Sequence, residues 1–87
     1  MLTIFKFELT PSCSIELPKG AEILTVAEQN DAIFMWVKLD PTAPKEWRNF
    51  AAYGTGHRVS DSPTKYIGTA FLHSRTLVLH VFELLPV

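Results

Sequence analysis

Cysteine is almost absent from this 87-residue sequence, and its scarcity excludes several classes of protein. Cys13 is the only cysteine, so no intrachain disulfide and no zinc site built from several cysteines can form. The three histidines, His57, His73 and His80, follow no recognised ligand spacing. We therefore expect no metal site, and we expect a protein of a reducing compartment, the cytoplasm.

Long apolar runs are also missing. The longest, Ala32 to Val37, has six residues, against the roughly 20 that a membrane helix needs. The first residues include a lysine at position 6 and lack the features of a signal peptide. We expect neither a membrane span nor a secretory signal.

The net charge of −1 argues against an evenly basic nucleic-acid binder. The charges are nevertheless unevenly distributed. Residues 45–75 carry five Lys and Arg against two Asp and Glu, whereas residues 1–44 carry three against six. The middle of the chain is its electropositive part.

No stretch of ten or more residues has the three-and-four apolar spacing of a helix. Alternating apolar residues and turn signals instead predict one all-β domain over residues 1–87, a small antiparallel sandwich or barrel of six to seven strands. The predicted segments are 3–9, 13–17, a hairpin over 22–39, 47–53, 66–73 and 76–84. A type I turn is predicted at Leu17-Pro18-Lys19-Gly20.

The hairpin turn at Asn30-Asp31 predicts a register, because Asn and Asp tolerate the positive φ of a two-residue turn. Pairing Gln29 with Ala32 places Val26 opposite Met35 and Leu24 opposite Val37 on one apolar face. The predicted core is Phe5, Phe7, Leu24, Val26, Met35, Val37, Phe71, Leu79 and Val81. The other hairpin face carries Phe34 and Trp36, where we expect a homo-oligomeric contact.

Catalytic chemistry is not indicated. Cys13 has no nearby base, and no carboxylates are paired in contrasting environments. If His73 pairs with Thr76, His80 lies opposite Thr69, and we expect it to pack beside Phe71 and Phe82. We expect a non-enzyme without a cofactor.

A glycine-rich turn is the strongest candidate for a binding site. Tyr53-Gly54-Thr55-Gly56-His57-Arg58 follows a strand and ends in a cation. Glycines let backbone N–H groups approach an anion, and Arg58 can hold phosphate with its planar fork. The alternative is an ordinary strand end with a solvated arginine.

Aromatic and cationic residues alternate nearby, which is typical of surfaces that stack bases and hold phosphates. The residues concerned are Lys45, Trp47, Arg48, Tyr53, Lys65 and Tyr66. We expect Arg48, Lys45 or Lys65 as outer cations, with Trp47 or Tyr53 as the stacking surface. The alternative is that the aromatics form the core and the cations its rim.

Several segments together resemble a family of small uncharacterised proteins of bacteriophages and prophages. They are 16–24, 36–40, 44–50, 53–57 and 71–83. The resemblance implies only a setting, a phage-infected host. The family has no assigned activity, so no functional residue can be carried over from it.

Three functions follow as hypotheses. The first is a counter-defence protein that sequesters a small anionic ligand, such as a signalling nucleotide. The second is an inhibitor or modulator of a host protein. The third is a minor virion or accessory structural protein.

Overall fold

Seven β-strands make up the computed structural model, which describes residues 1–86; Val87 lies outside the described residues. The strands are β1 (Thr3–Leu9), β2 (Ser12–Pro18), β3 (Glu22–Gln29), β4 (Ala32–Leu39), β5 (Lys45–Gly54), β6 (Thr64–Leu72) and β7 (Leu77–Leu84). No helix forms within residues 1–86, and hence none there is long and apolar enough to cross a membrane. The all-β prediction is confirmed.

The strands form two antiparallel sheets. β3, β4 and β1 build a three-stranded sheet in the order β1-β4-β3, and the other four build a sheet in the order β2-β5-β7-β6. β1 and β2 are separated only by Thr10 and Pro11. Because the carbonyl of Pro11 accepts a hydrogen bond from the amide of Ala52 in β5 (2.9 Å), the chain passes directly from one sheet to the other at this proline.

The inner faces of both sheets share one hydrophobic core. Its largest fully buried side chains are Phe50, Leu17, Met35, Leu39, Val37 and Val81. Along β4, the buried residues alternate with half-buried Phe34 and Trp36, as expected for a strand with one side in the core. We call the core side of each sheet its inner face and the opposite side its outer face.

The β3–β4 register is confirmed as far as Thr25. Gln29 lies opposite Ala32 and Val26 opposite Met35. A bulge between Ile23 and Thr25 then places Ile23 opposite Val37. Leu24 is 41% exposed, so its predicted place in the core is wrong, because the extra residue of the bulge turns its side chain outward.

Two other predicted core residues are also exposed. Phe5 lies on the inner face opposite Val37, but β1 is an edge strand, and 45% of the residue stays accessible. Phe71 lies opposite Val78 on an outer face and is 38% exposed. Val26, Met35, Val37 and Val81 are buried as predicted, and Phe7 and Leu79 are partly buried against the core.

One turn differs from its prediction, and another agrees with it. The amide of Ala21 bonds to the carbonyl of Pro18 (3.1 Å), with Gly20 at φ 80°, which is the arrangement of a type II turn one residue later than expected. Between β6 and β7, the amide of Thr76 bonds to the carbonyl of His73 (3.1 Å), so the chain turns at Ser74-Arg75, as the pairing of His73 with Thr76 predicts. β6 itself ends one residue earlier than predicted, at Leu72, and His73, Ser74 and Arg75 all have positive φ. Ser74 and Arg75 therefore adopt a left-handed conformation that side chains disfavour.

The two sheets meet along β3 and β6. A Cβ added to Gly68 would lie 2.9 Å from Cγ2 of Val26. Further along, the carboxylate of Asp31 accepts hydrogen bonds from the amide of His73 (2.6 Å) and bonds its Nδ1 (2.8 Å). Gly68 lies 42 positions after Val26, and His73 lies 42 positions after Asp31. Because the separation is the same at both places, β3 and β6 run parallel along this seam.

Candidate functional site

The predicted glycine-rich turn follows β5 directly. The amide of His57 bonds to the carbonyl of Gly54 (3.0 Å), and Gly56 has φ 85°, so residues 54–57 form a type II turn. Gly54 has no positive φ, but a Cβ there would lie 2.9 Å from the His57 ring. The two positions favour glycine for different reasons. A side chain at Gly54 would clash with the imidazole of His57, and Gly56 has a positive φ that residues with a side chain rarely adopt.

Arg58 continues from this turn into solvent. Its guanidinium contacts the carboxylate of Asp61 at 3.3 Å, and the two side chains are 87% and 89% exposed. Water screens such a pair strongly. Arg58 is therefore free to exchange Asp61 for another anion.

His80 is the centre of a hydrogen-bonded chain on the outer face of β7. Its Nε2 lies 2.8 Å from Oγ1 of Thr55, and its Nδ1 lies 3.2 Å from Oγ1 of Thr69. The hydroxyl of Tyr66 lies 2.6 Å from the same Thr69 oxygen. A neutral imidazole has one donor and one acceptor nitrogen, and each hydroxyl can take either role. The chain can thus adapt its donors and acceptors to a bound group.

Aromatic rings flank this chain. The ring of Phe82 lies 6.0 Å from Tyr53 and 5.5 Å from Tyr66, the latter edge to face. Tyr66 is 55% exposed, so part of its ring faces solvent. We call Tyr53, Thr55, Tyr66, Thr69, His80 and Phe82 the outer-face cluster.

The chain topology joins the turn to this cluster. β5 and β6 are the two neighbours of β7, so residues 55–63 must cross β7 to connect them. The crossing begins at Thr55, which contacts His80, and ends where the carbonyl of Pro63 accepts a hydrogen bond from the amide of Leu85 (2.9 Å). Two predicted site residues, Tyr53 and Thr55, therefore belong to the cluster, and the turn lies at its side.

Arg48 does not reach the turn. Its Nε and Nη2 donate to the two carboxylate oxygens of Glu83 (2.6 and 2.8 Å), and its Nη1 donates to the carbonyl of Ala21 (2.6 Å). The hydrogen bonds to Glu83 raise the pKa of Arg48. Arg48 lies six residues from Gly54 along β5, about 20 Å. It is a structural cation at the edge of the core.

The other predicted cations and the predicted contact residues also lie elsewhere. Lys45 pairs with Pro18 at the far end of β5, and Lys65 lies opposite Glu83. Trp47, near Lys45, is 66% exposed. Phe34 and Trp36 are half-buried on the outer face of the other sheet, where the ammonium of Lys6 lies 4.8 Å from the centre of the Phe34 ring.

Sequence reasoning missed the polar role of His80, Thr69 and Tyr66. One signal was present, because the predicted register places His80 opposite Thr69, and this pairing is confirmed. The contact with Thr55 carried no local signal, since it joins residues 25 positions apart. Among residues 1–86, no three His, Cys, Asp or Glu side chains gather as metal ligands.

A family model matches residues 1–86, and its description is "Domain of unknown function (DUF7352)". The chain belongs to this family. Comparison with curated proteins gave no match, and comparison with solved structures gave none either. The choice of the outer-face cluster as the candidate functional site of this DUF7352 domain therefore rests on the chemistry of its residues alone.

Proposed function

We propose that this DUF7352 domain is a non-enzymatic binding protein whose outer-face cluster and adjacent 54–58 turn take a small anionic ligand with an aromatic ring, a nucleotide in chemical type. The observation that carries the proposal is the hydrogen-bonded chain Thr55–His80–Thr69–Tyr66. It lies beside the exposed ring of Tyr66 and the half-buried rings of Tyr53 and Phe82. Polar groups able to donate or accept, next to rings, are typical of sites for flat heterocycles.

The anionic part of the ligand fits the turn. A Cβ at Gly56 would meet nothing within 4 Å, so the space beside this backbone is open to an approaching phosphate. Arg58 adds a charge that is held only by an exposed ion pair. Backbone amides in a turn together with an arginine fork are a recurring solution for phosphate.

The same geometry favours binding over catalysis. His80 contacts only threonine hydroxyls within the cluster, and threonine is a weak nucleophile unless a strong base activates it. No carboxylate orients the imidazole in the contacts described for residues 1–86, so the arrangement differs from a nucleophile–base–acid triad.

The resemblance to small phage and prophage proteins supports a biological setting for this proposal. Such a protein, present in the host cytoplasm during infection, would act by stoichiometric binding of its ligand. It would bind a signalling nucleotide of a host defence system and lower its free concentration. Sequestration needs only affinity, which agrees with a site that has binding groups and lacks a triad.

Calorimetric titration with mono-, di- and cyclic nucleotides tests the proposal. Arg58→Ala should weaken binding by roughly 10- to 100-fold, the equivalent of one charge-assisted hydrogen bond. His80→Phe should weaken it without unfolding the sheet, because the ring sits on an outer face. Lys19→Ala removes another exposed charge, at the β2–β3 turn, and should change nothing. No heat from any nucleotide, or equal losses in the control, would reject the site.

Modulation of a host protein is a second candidate because Trp47 is 66% exposed on a sheet face, and tryptophan is enriched at protein contacts. Retention of one host protein by the native domain, lost in Trp47→Ala but kept in Arg58→Ala, would favour it. Retention unaffected by Trp47→Ala would remove this argument.

A further inference from the structure

Of the edge strands among residues 1–86, β1 alone is neither covered nor dominated by polar residues. β3 and β6 lie against each other along the seam between the sheets. β2 carries exposed Ser12, Ser14 and Glu16 and ends in Pro18, features that discourage pairing. β1 instead exposes apolar side chains, with Ile4 at 56% and Phe5 at 45%. An edge of this kind is a template for another strand.

The charges on β1 decide which strand fits. Lys6 and Glu8 are both exposed, point to the same outer face, and are of opposite sign. We propose that β1 pairs antiparallel with β1 of a second copy of this chain, about a two-fold axis at Phe7. Lys6 then lies opposite the partner's Glu8, and Glu8 lies opposite the partner's Lys6. The inner face places Phe5 opposite the partner's Leu9.

Other registers are less favourable. A two-fold antiparallel pairing that keeps the inner faces together must be centred on a residue, because side chains alternate with a period of two. Centring on Lys6 or Glu8 places like charges opposite each other, which is destabilising. Centring on Phe5 leaves Lys6 opposite the partner's Ile4. Only the Phe7 centre creates two opposite-charge pairs.

The pairing would cover the exposed side chain of Phe5. Its ring lies 6.5 Å from that of Phe7, so in the dimer both rings join a continuous apolar strip across six strands in the order β3-β4-β1-β1-β4-β3. Lys6 must give up its 3.0 Å hydrogen bond to Gln29 and its position 4.8 Å from the centre of the Phe34 ring. The hydrogen bond is exposed, so water replaces it at little cost, and the ion pair with the partner's Glu8 takes the place of the contact with the ring. Phe34 and Trp36, the contact predicted from the sequence, lie on β4 and outside this edge.

A charge-swap experiment tests the register by sedimentation velocity over a concentration series. The unmodified domain should form a reversible dimer. Lys6→Glu or Glu8→Lys should each raise the dissociation constant about tenfold, because each creates two like-charge pairs, and the double variant should restore the original value. Leu24→Lys, on an exposed residue of β3, is the matched control and should have no effect.

A disulfide trap provides a second measurement in a Cys13→Ser background. Phe7→Cys should give a covalent dimer under mild oxidation, because opposed Cα atoms lie about 4.5–5.5 Å apart, within disulfide reach. Phe5→Cys should not, because it faces the partner's Leu9. A monomer at every concentration up to the solubility limit, or single variants that dimerise like the original, would overturn the proposal. A double variant that fails to recover would overturn the Phe7-centred register.

Discussion

The ion pair between Arg48 and Glu83 offers the sharpest test of how this small domain is held together. The side chains are only 18% and 8% exposed, and both carboxylate oxygens accept hydrogen bonds from the guanidinium. The third hydrogen bond, to the carbonyl of Ala21, reaches the turn between β2 and β3. The pair therefore joins two strands of one sheet to the turn that leads into the other.

Removing one partner should cost much more than removing both. Arg48→Met leaves the buried carboxylate of Glu83 and the carbonyl of Ala21 without the guanidinium, and breaking a buried pair in this way costs about 3 kcal/mol. A domain of this size has a total stability of roughly 4–13 kcal/mol. We expect Arg48→Met to lose a large part of it.

Urea unfolding monitored by tryptophan fluorescence measures the effect. The expected result for Arg48→Met is a midpoint shift with an unchanged slope. The double variant Arg48→Met/Glu83→Leu should recover most of the loss, because two apolar residues replace both charges. A loss below about 1 kcal/mol in the single variant, or a double variant less stable than the single, would refute the reasoning.

Three further predictions concern the seam and the turns. Gly68→Ala should destabilise the domain by roughly 1–3 kcal/mol in thermal or urea unfolding, because its Cβ would lie 2.9 Å from Val26; Gly68→Ala combined with Val26→Ala should recover part of this, and no recovery would count against the steric cause. Hydrogen bonds from His73 hold the pKa of Asp31 below its usual value, so the carboxylate stabilises the fold above about pH 4 and loses this effect as the pH falls through its lowered pKa; unfolding of Asp31→Asn should be less steeply acid-dependent, and parallel pH profiles would contradict this. Ser74→Gly should raise stability by up to about 1 kcal/mol, because Ser74 has φ 54°; a lower unfolding midpoint would mean that the positive φ is not a strain there.

Local sequence signals were sufficient to predict the strands and the register of the β3–β4 hairpin near its turn. The alternation in β1 and the Asn30-Asp31 turn led to the same bounds for 3–9, 22–29 and 32–39 that the structure has. Asn30 and Asp31 both have positive φ, 52° and 61°, which is the property from which the hairpin was predicted. Such features depend on neighbours within a few residues, so they can be deduced from the chain alone.

The candidate site was predicted only in part. Tyr53 and Thr55 reach the outer-face cluster, whereas Arg48 lies on the inner face beside Glu83. The alternation along β5 shows that Arg48 and Tyr53 point to opposite sides, but it does not show which side is the core. A cation next to a tryptophan therefore looked like part of a binding surface.

By itself, the sequence determined the strand content, the absence of helix in the described residues, and the pairing of Thr69 with His80. The tertiary structure alone decided that Phe71 faces outward, that Leu24 sits on a bulge, and that Thr55 crosses to His80. The physical reason is the range of the interactions. Alternation and turn chemistry act between near neighbours, whereas the burial of a residue depends on which sheet covers its face. For Arg48, the burial depends on its pairing with Glu83, which is 35 positions away.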